Sequence, residues 1–212
     1  MVDDHIEMWK SHWNSKRDMT DPLEINGYCM NGKSIQHEIY TEAILFPVIQ
    51  QLGVRPGDKV LEVGCGTGMF LSEIEKITPE VYGVDISVEM LKKYSGKARL
   101  HVCAAHEVPF SPKTMDRILM YSVAHCFESF EYFKKVIETL LYILKDEGFL
   151  FIGDIPMDIP TRNSKYLIYS KKDIMTFLEF KGFPFELRAQ NEKKRLLNER
   201  YDIFVWKNIA RR

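Results

Sequence analysis

The chain has 212 residues, 45% of them hydrophobic and 28% charged, the size and make-up of one globular domain rather than two. Its 29 basic and 30 acidic side chains leave a formal charge of -1, so no overall field recruits nucleic acid or an anionic membrane. Four scattered cysteines (Cys29, Cys65, Cys103, Cys126) contain no C-x-x-C pair, which disfavours a zinc site or disulfide scaffold and leaves free thiols in a reducing compartment.

The opening MVDDHIEMWKSHW is polar and mixed, unlike a secretory leader, and no apolar run approaches the roughly 18 residues of a membrane span. A cytoplasmic protein is expected. A short helix is expected around Ile6–Trp13, followed by turn signals at Asp21-Pro22, Asn26-Gly27 and Asn31-Gly32. Ser34 reads as the N-cap of a helix whose apolar positions Ile39, Ala43, Phe46 and Ile49 repeat at helical spacing. Pro47 inside that run predicts a kink, and Gly53 a stop.

Lys59–Val63 reads as a short buried strand that runs into a glycine loop, Gly64-Cys65-Gly66-Thr67-Gly68, and then a helix over Met69–Lys76. A second strand, Val81–Val84, ends at Asp85, and Ser87 can cap a helix through Tyr94. Arg99–Val102 and Asp116–Tyr121 are the third and fourth strands. Ser129–Leu144 is a long amphipathic helix, and Glu147–Gly153 the fifth strand. This alternation predicts an α/β fold with a mostly parallel sheet covered on both faces. Lys171–Lys181 then reads as helix, and Phe183–Arg188 and Arg200–Trp206 as late strands fit to form a hairpin closing one sheet edge.

A strand entering Gly-x-Gly-x-Gly and then a helix makes a tight turn, where missing Cβ atoms let the backbone approach a ligand. Asp85 follows about 20 residues later at the end of the next strand, placed to accept hydrogen bonds from both hydroxyls of a ribose. The pair points to an adenosine-containing ligand. The third glycine comes one residue early for the dinucleotide pattern G-x-G-x-x-G, and Met69 stands where that pattern wants glycine, so a nicotinamide oxidoreductase is the weaker reading.

The stretch Val60-Leu61-Glu62-Val63-Gly64-Cys65-Gly66-Thr67-Gly68 resembles the first motif of class I S-adenosylmethionine-dependent methyltransferases. Val81–Ser87 with Met90-Leu91 resembles their second, and Ala104–Phe110 their D-A-x-x-L-P-F segment. Asp116–His125 resembles their fourth strand, and Leu144–Leu150 their L-K-P-G-G strand entry. The register holds from about residue 55 to 155. Looser likenesses at Asp21-Pro22-Leu23, Gly27-Tyr28, Gly153–Pro156 and Arg200–Ile203 are similar to small bacterial enzymes of polysaccharide and secondary-metabolite pathways.

The resemblance implies a Rossmann-like, doubly wound, mostly parallel seven-stranded sheet with a C-terminal antiparallel hairpin and an N-terminal helical lid. It divides a single domain into an arm or lid (1–33), a cofactor-binding core (34–155) and an acceptor cap with the sheet-closing part (156–212). It implies S-adenosylmethionine as cofactor. Gly64, Cys65, Gly66 and Gly68 would line its methionine moiety, and Glu62 would anchor the loop or reach the amino group through water. Asp85 would hold the ribose, Ile86 would pack on the adenine, and Ala105 and His106 would lie at the adenine edge. Tyr121 and Tyr28 complete the implied cofactor wall. The family usually has aspartate where Ala104 stands, so that contact to the adenine amino group is absent or replaced.

Within the same resemblance, nucleic-acid-base and amide methyltransferases carry N/D-P-P-Y/F after the fourth strand, where this chain reads Tyr121–His125. No acidic residue stands between Tyr121 and Phe127, so no metal is implied. Metal-independent O-methylation of a small molecule is therefore expected, at a sugar hydroxyl or a phosphate, phosphonate or carboxylate oxygen. The alternatives are N-methylation of a small amine and a non-catalytic S-adenosylmethionine-binding protein. His125 is the candidate general base and His37 a second; Asp154, Arg162 and Lys165 are candidate acceptor-binding residues. Trp9, Trp13 and Tyr28 are expected either to form a water-excluding lid or to pack the arm. The expected partner is a small-molecule acceptor, with no membrane and no nucleic acid, and the sequence leaves the oligomeric state open.

Overall fold

The computed structural model describes residues 2–30, 33–34, 36–157, 166–190 and 200–208. In chain order these form α1 (Val2–Asn14), α2 (Pro22–Ile25), β1 (Cys29–Met30), β2 (Lys33–Ser34), α3 (His37–Tyr40), a π-helical turn (Thr41–Leu45), α4 (Phe46–Leu52) and β3 (Val60–Val63). There follow α5 (Met69–Ile74), β4 (Val81–Asp85), α6 (Val88–Leu91), β5 (Arg99–Val102), β6 (Met115–Tyr121), a 3-10 turn (Ala124–Cys126) and α7 (Phe130–Ile143). The chain ends with β7 (Leu144–Pro156), α8 (Lys171–Lys181), β8 (Phe185–Ala189) and β9 (Arg200–Trp206).

The main sheet has seven strands in the order β5-β4-β3-β6-β7-β9-β8. The first five run parallel; β9 is antiparallel to both β7 and β8. The sheet is doubly wound because the chain builds outward from β3 through β4 to β5, then returns to lay β6 on the other side of β3. The connections leaving the carboxyl ends of the paired strands β3 and β6 therefore run to opposite sides, and a crevice opens there.

Alternation along each strand divides the apolar residues between two cores. Leu61, Ile118, Leu150, Ile152 and Ile203 pack under α7, which contributes Phe133, Val136, Ile137 and Leu140. Val60, Leu119, Phe149, Phe151 and Phe204 face α4 and α5. Full burial of each such side chain stabilises the fold by about 1.5–3 kcal/mol. The period of two also sends Glu62 and Tyr121 to the α4–α5 face at the strand ends, which is how two polar groups reach the crevice.

Several local expectations need correction. Ser34 belongs to the small β1–β2 pair, and the next helix starts after Gln36 with no side-chain cap. Pro47 is the second residue of α4, just after the π-helical turn. Its missing N–H would leave an α-helical bond unmade, and the chain widens one turn earlier, where the Phe46 N–H reaches back five residues to the Thr41 carbonyl. β7 extends to Pro156, past the expected Gly153, with a one-residue bulge between Ile152 and Ile155 against β9. β8 begins at Phe185, after Pro184, because proline cannot donate to the ladder.

Candidate active site

The glycine loop leaves β3 with Gly64, Gly66 and Gly68 all at positive φ, a region closed to most side-chain-bearing residues. The Gly64 and Cys65 N–H groups both donate to the Val84 carbonyl at 2.8 and 3.0 Å, pinning the loop to the end of β4. A Cβ on Gly64 would collide with Val123, and one on Gly66 with the Asn26 amide oxygen. Asn26 in turn donates to Thr67 Oγ1 at 2.7 Å, so the arm helps to shape the loop.

Asp85 closes the other side. Its Oδ2 accepts from the Gly66 N–H at 2.9 Å and its Oδ1 from the Ser87 N–H at 2.8 Å. Burial raises its pKa above the ordinary carboxylate value, and these backbone bonds oppose the rise. Each oxygen keeps a lone pair for a ligand hydroxyl. Glu62 is fully buried at the end of β3, and burial, then the charge of Asp85, push its carboxyl well above the usual range. Its Oε2 has no hydrogen-bond partner. A buried carboxylate oxygen without a donor is costly unless a ligand supplies one.

These residues border a single cleft that opens at the carboxyl ends of β3 and β6. Of the expected cofactor residues, Glu62, Gly64, Cys65, Gly66, Asp85, Ile86, Ala105, Tyr121 and Tyr28 line it. Gly68 and His106 do not. Gly68 caps α5 against the Tyr94 ring, and His106 stands beside Tyr132, a lining residue, its Nδ1 2.9 Å from the Tyr132 hydroxyl.

Helix α1 crosses the cleft mouth. His5, Ile6, Trp9 and Trp13 contribute to its wall, and Trp9 stacks on both Trp13 and Tyr166. Asn14 at its far end accepts from Ser87 Oγ at 2.7 Å, beside Asp85. The helix is strapped at its other end by His5 Nε2, 2.9 Å from the Cys126 carbonyl oxygen.

The far end of the cleft is aromatic, with Tyr28, Tyr40, Phe70 and Tyr121 in contact in sequence. The Tyr40 hydroxyl is buried within this wall, beside Tyr28. Among the described lining residues the carboxylates are Glu62, Asp85 and Glu128, and none is lysine or arginine.

The expected catalytic and acceptor residues are distributed differently. His37 is exposed on α3, 3.4 Å from Asp21 and away from the cleft. His125 lies in the 3-10 turn behind the wall, its ring edge-on to Tyr166 and its Nδ1 buried without a partner. Burial, then the nearby Arg200, lowers its pKa to about 3. Such an imidazole is neutral near pH 7 but a poor proton acceptor, because general bases work best with a pKa near the working pH. Asp154 sits directly behind Ser122, which lines the cleft. Arg162 and Lys165 lie outside the described residues. Sequence reasoning assigns no site role to Tyr40, Asn26, Ser122, Tyr132 or Arg200, although Asn26 stands in a turn signal and Ser122 and Arg200 lie within the stretches Asp116–His125 and Arg200–Ile203 that carry the resemblance.

Residues 61–152 match a family model described as a methyltransferase domain. Over 108 residues, 49% of this chain and 39% of the other, the sequence is 34% identical to uncharacterized protein MJ1252 of Methanocaldococcus jannaschii. The chain thus matches well under two thirds of the length of that curated relative. Among solved structures, the fold resembles a phosphoethanolamine N-methyltransferase of Haemonchus contortus (TM-score 0.72, 11% identity, covering 100% of this chain and 51% of that one). It also resembles the magnesium protoporphyrin IX methyltransferase of Synechocystis (TM-score 0.66, 16% identity, 96% and 97% covered). At these identities the likeness is one of fold.

Proposed function

From the match of residues 61–152 to a methyltransferase domain, we propose that the chain is a class I S-adenosylmethionine-dependent methyltransferase, binding this cofactor and methylating a small-molecule acceptor, foremost at a hydroxyl oxygen and without a metal. The observation that carries the reading is the unpartnered Glu62 Oε2 facing a glycine loop whose Cβ positions are filled by neighbours. The residues fit the cofactor: Asp85 suits the ribose hydroxyls, Gly64 to Gly66 the close approach of its chain, and Glu62 its cationic amino group. When bound, it supplies an electrophilic methyl carbon on a positively charged sulfur. The protein's own work is to hold an acceptor in line with that carbon and to exclude water, for which α1 and the four-ring aromatic wall are placed.

A second reading, transfer to a small amine, is favoured by the same wall. Aromatic faces and carboxylates attract a cationic group, and no lysine or arginine among the described lining residues opposes it.

The test is calorimetric titration with S-adenosylmethionine and S-adenosylhomocysteine, with NAD as control, followed by a screen for transfer of a labelled methyl group. Micromolar binding of the first two, none of NAD, and turnover on any hydroxyl or amine supports the reading. Binding without any turnover leaves a cofactor-binding protein, and no binding overturns it.

Glu62 gives a separate expected result. Its carboxyl is held above the ordinary 4.5, so the folded apo-protein binds a proton that the unfolded chain releases. This contribution to stability is full below pH 4.5 and is lost as pH rises towards the raised folded value. Glu62→Gln should therefore melt higher than the wild type at pH 8, with the gap closing towards pH 4. The same variant should bind S-adenosylhomocysteine more weakly. A lower melting temperature at pH 8 would show that Glu62 is stabilised by a partner in the apo-protein.

A further inference from the structure

Two residues other than glycine with positive φ sit side by side at the ends of adjacent strands, Ser122 after β6 (φ 61) and Asp154 in the β7 bulge (φ 63). Such backbone costs about 1–3 kcal/mol per residue and persists where the surroundings enforce it, most often at functional sites. Here the enforcement is visible. The Ser122 N–H donates to the Gly153 carbonyl at 3.0 Å, and the Asp154 N–H donates to Asp202 Oδ1 at 3.0 Å. Gly153 between them must be glycine, since a Cβ would enter the Tyr121 ring.

The result is a directed pair. Ser122 Oγ donates to Asp154 Oδ2 at 2.6 Å, and Arg200 donates to the same oxygen at 2.9 Å and to the Asp154 carbonyl at 3.1 Å. The single proton of Ser122 is thereby committed to a carboxylate. What its hydroxyl offers the cleft is lone pairs alone. A phosphate, phosphonate or carboxylate oxygen placed there would meet an acceptor, with a second carboxylate behind it.

We propose that Ser122 and Asp154 form a proton relay at the acceptor end of the cleft, which selects an acceptor bearing O–H or N–H over an anionic oxygen. The inference rests on the methyl-transfer reading and narrows its substrate class. In the step, the acceptor's lone pair forms the new bond to the methyl carbon of the sulfonium donor, and the carbon–sulfur bond breaks with its electron pair passing to sulfur. The acceptor's proton passes to Ser122 Oγ as the Ser122 proton passes to Asp154 Oδ2; the proton later leaves to solvent. Ser122 is the catalytic residue, and Asp154 acts through it. Burial outweighs Arg200 and holds the Asp154 carboxyl above its ordinary range, which favours proton uptake.

The test uses the whole chain saturated with S-adenosylhomocysteine and NMR-detected binding of benzyl alcohol, benzylamine, benzoate and phenyl phosphate. The alcohol, the amine or both are expected to bind at least about tenfold more tightly than either anion, since an anion leaves acceptors facing one another. The stronger of the two separates the hydroxyl from the amine case. Ser122→Gly, which relaxes the backbone, should erase the preference. Asp154→Asn keeps the bonds from Ser122 and Arg200 and tolerates positive φ, yet accepts no proton. It should lower turnover about 10²- to 10⁴-fold and remove the acid limb of the pH profile, with S-adenosylhomocysteine affinity unchanged. Tighter anion binding, no discrimination between the four probes, or an Asp154→Asn profile like the wild type's overturns the relay. Failure of the wild type to bind S-adenosylhomocysteine overturns the methyl-transfer reading instead.

Discussion

Asp85→Ala is expected to weaken S-adenosylhomocysteine binding about 5- to 150-fold, the equivalent of about 1–3 kcal/mol for hydroxyls left without their buried acceptor. The substitution removes more than a ligand contact. The Gly66 and Ser87 N–H groups lose their acceptors together, so the loop and the start of α6 loosen as well. Stability should fall by a similar amount, about 1–3 kcal/mol. Asp85→Asn separates the two effects. Its amide oxygen replaces one acceptor while its NH₂ faces the other N–H, so it loses part of the stability and much of the affinity. Calorimetry and denaturant unfolding on both variants check this. An Asp85→Ala protein with wild-type affinity would remove the ribose assignment, whatever its stability.

The parts legible in the sequence are those set by local pattern. β3 is four consecutive residues buried on both faces, its apolar run is bounded by Lys59 and Gly64, and no helix of that length competes. The glycine loop and Asp85 are legible because positive φ and a strand-end carboxylate have residue-type signatures. Asp154 is legible in the same way, as a carboxylate at the expected end of the fifth strand, but its pairing with Ser122 is not. Its geometry arises from a bulge that forms only when β9, some 50 residues away, pairs with β7 and brings Asp202 and Arg200 beneath the strand ends. Tyr40 ends α3 immediately before the widened turn, and its place in the aromatic wall beside Tyr28 and Phe70 is a tertiary contact with no local signature. His125 illustrates the converse. Its place after the fourth strand is right for a base, yet the 3-10 turn rotates its ring toward Tyr166 and out of the wall, leaving Ser122, three residues earlier, at the surface of the cleft.

Gly64→Ala should destabilise the protein by about 2–5 kcal/mol, from two sources that a double-mutant cycle can divide. Positive φ at an alanine costs about 1–2 kcal/mol. The new Cβ meets the Val123 side chain closer than real Cβ atoms come, and overpacking of this kind costs about 1–3 kcal/mol. Val123→Ala removes most of the second cost, since the Cγ2 and Cγ1 contacts go while the Cβ stays close, and leaves the first. The double variant should therefore be more stable than the sum of the single changes predicts, by about 1–3 kcal/mol. Strict additivity would mean that the loop shifts to accommodate the methyl group. That outcome bears on function, because Gly64 and Cys65 share the Val84 carbonyl and a shifted loop moves Gly66 off Asp85. With the coupling present, cofactor affinity should recover in the double variant along with stability, since the same Val123 contact limits both.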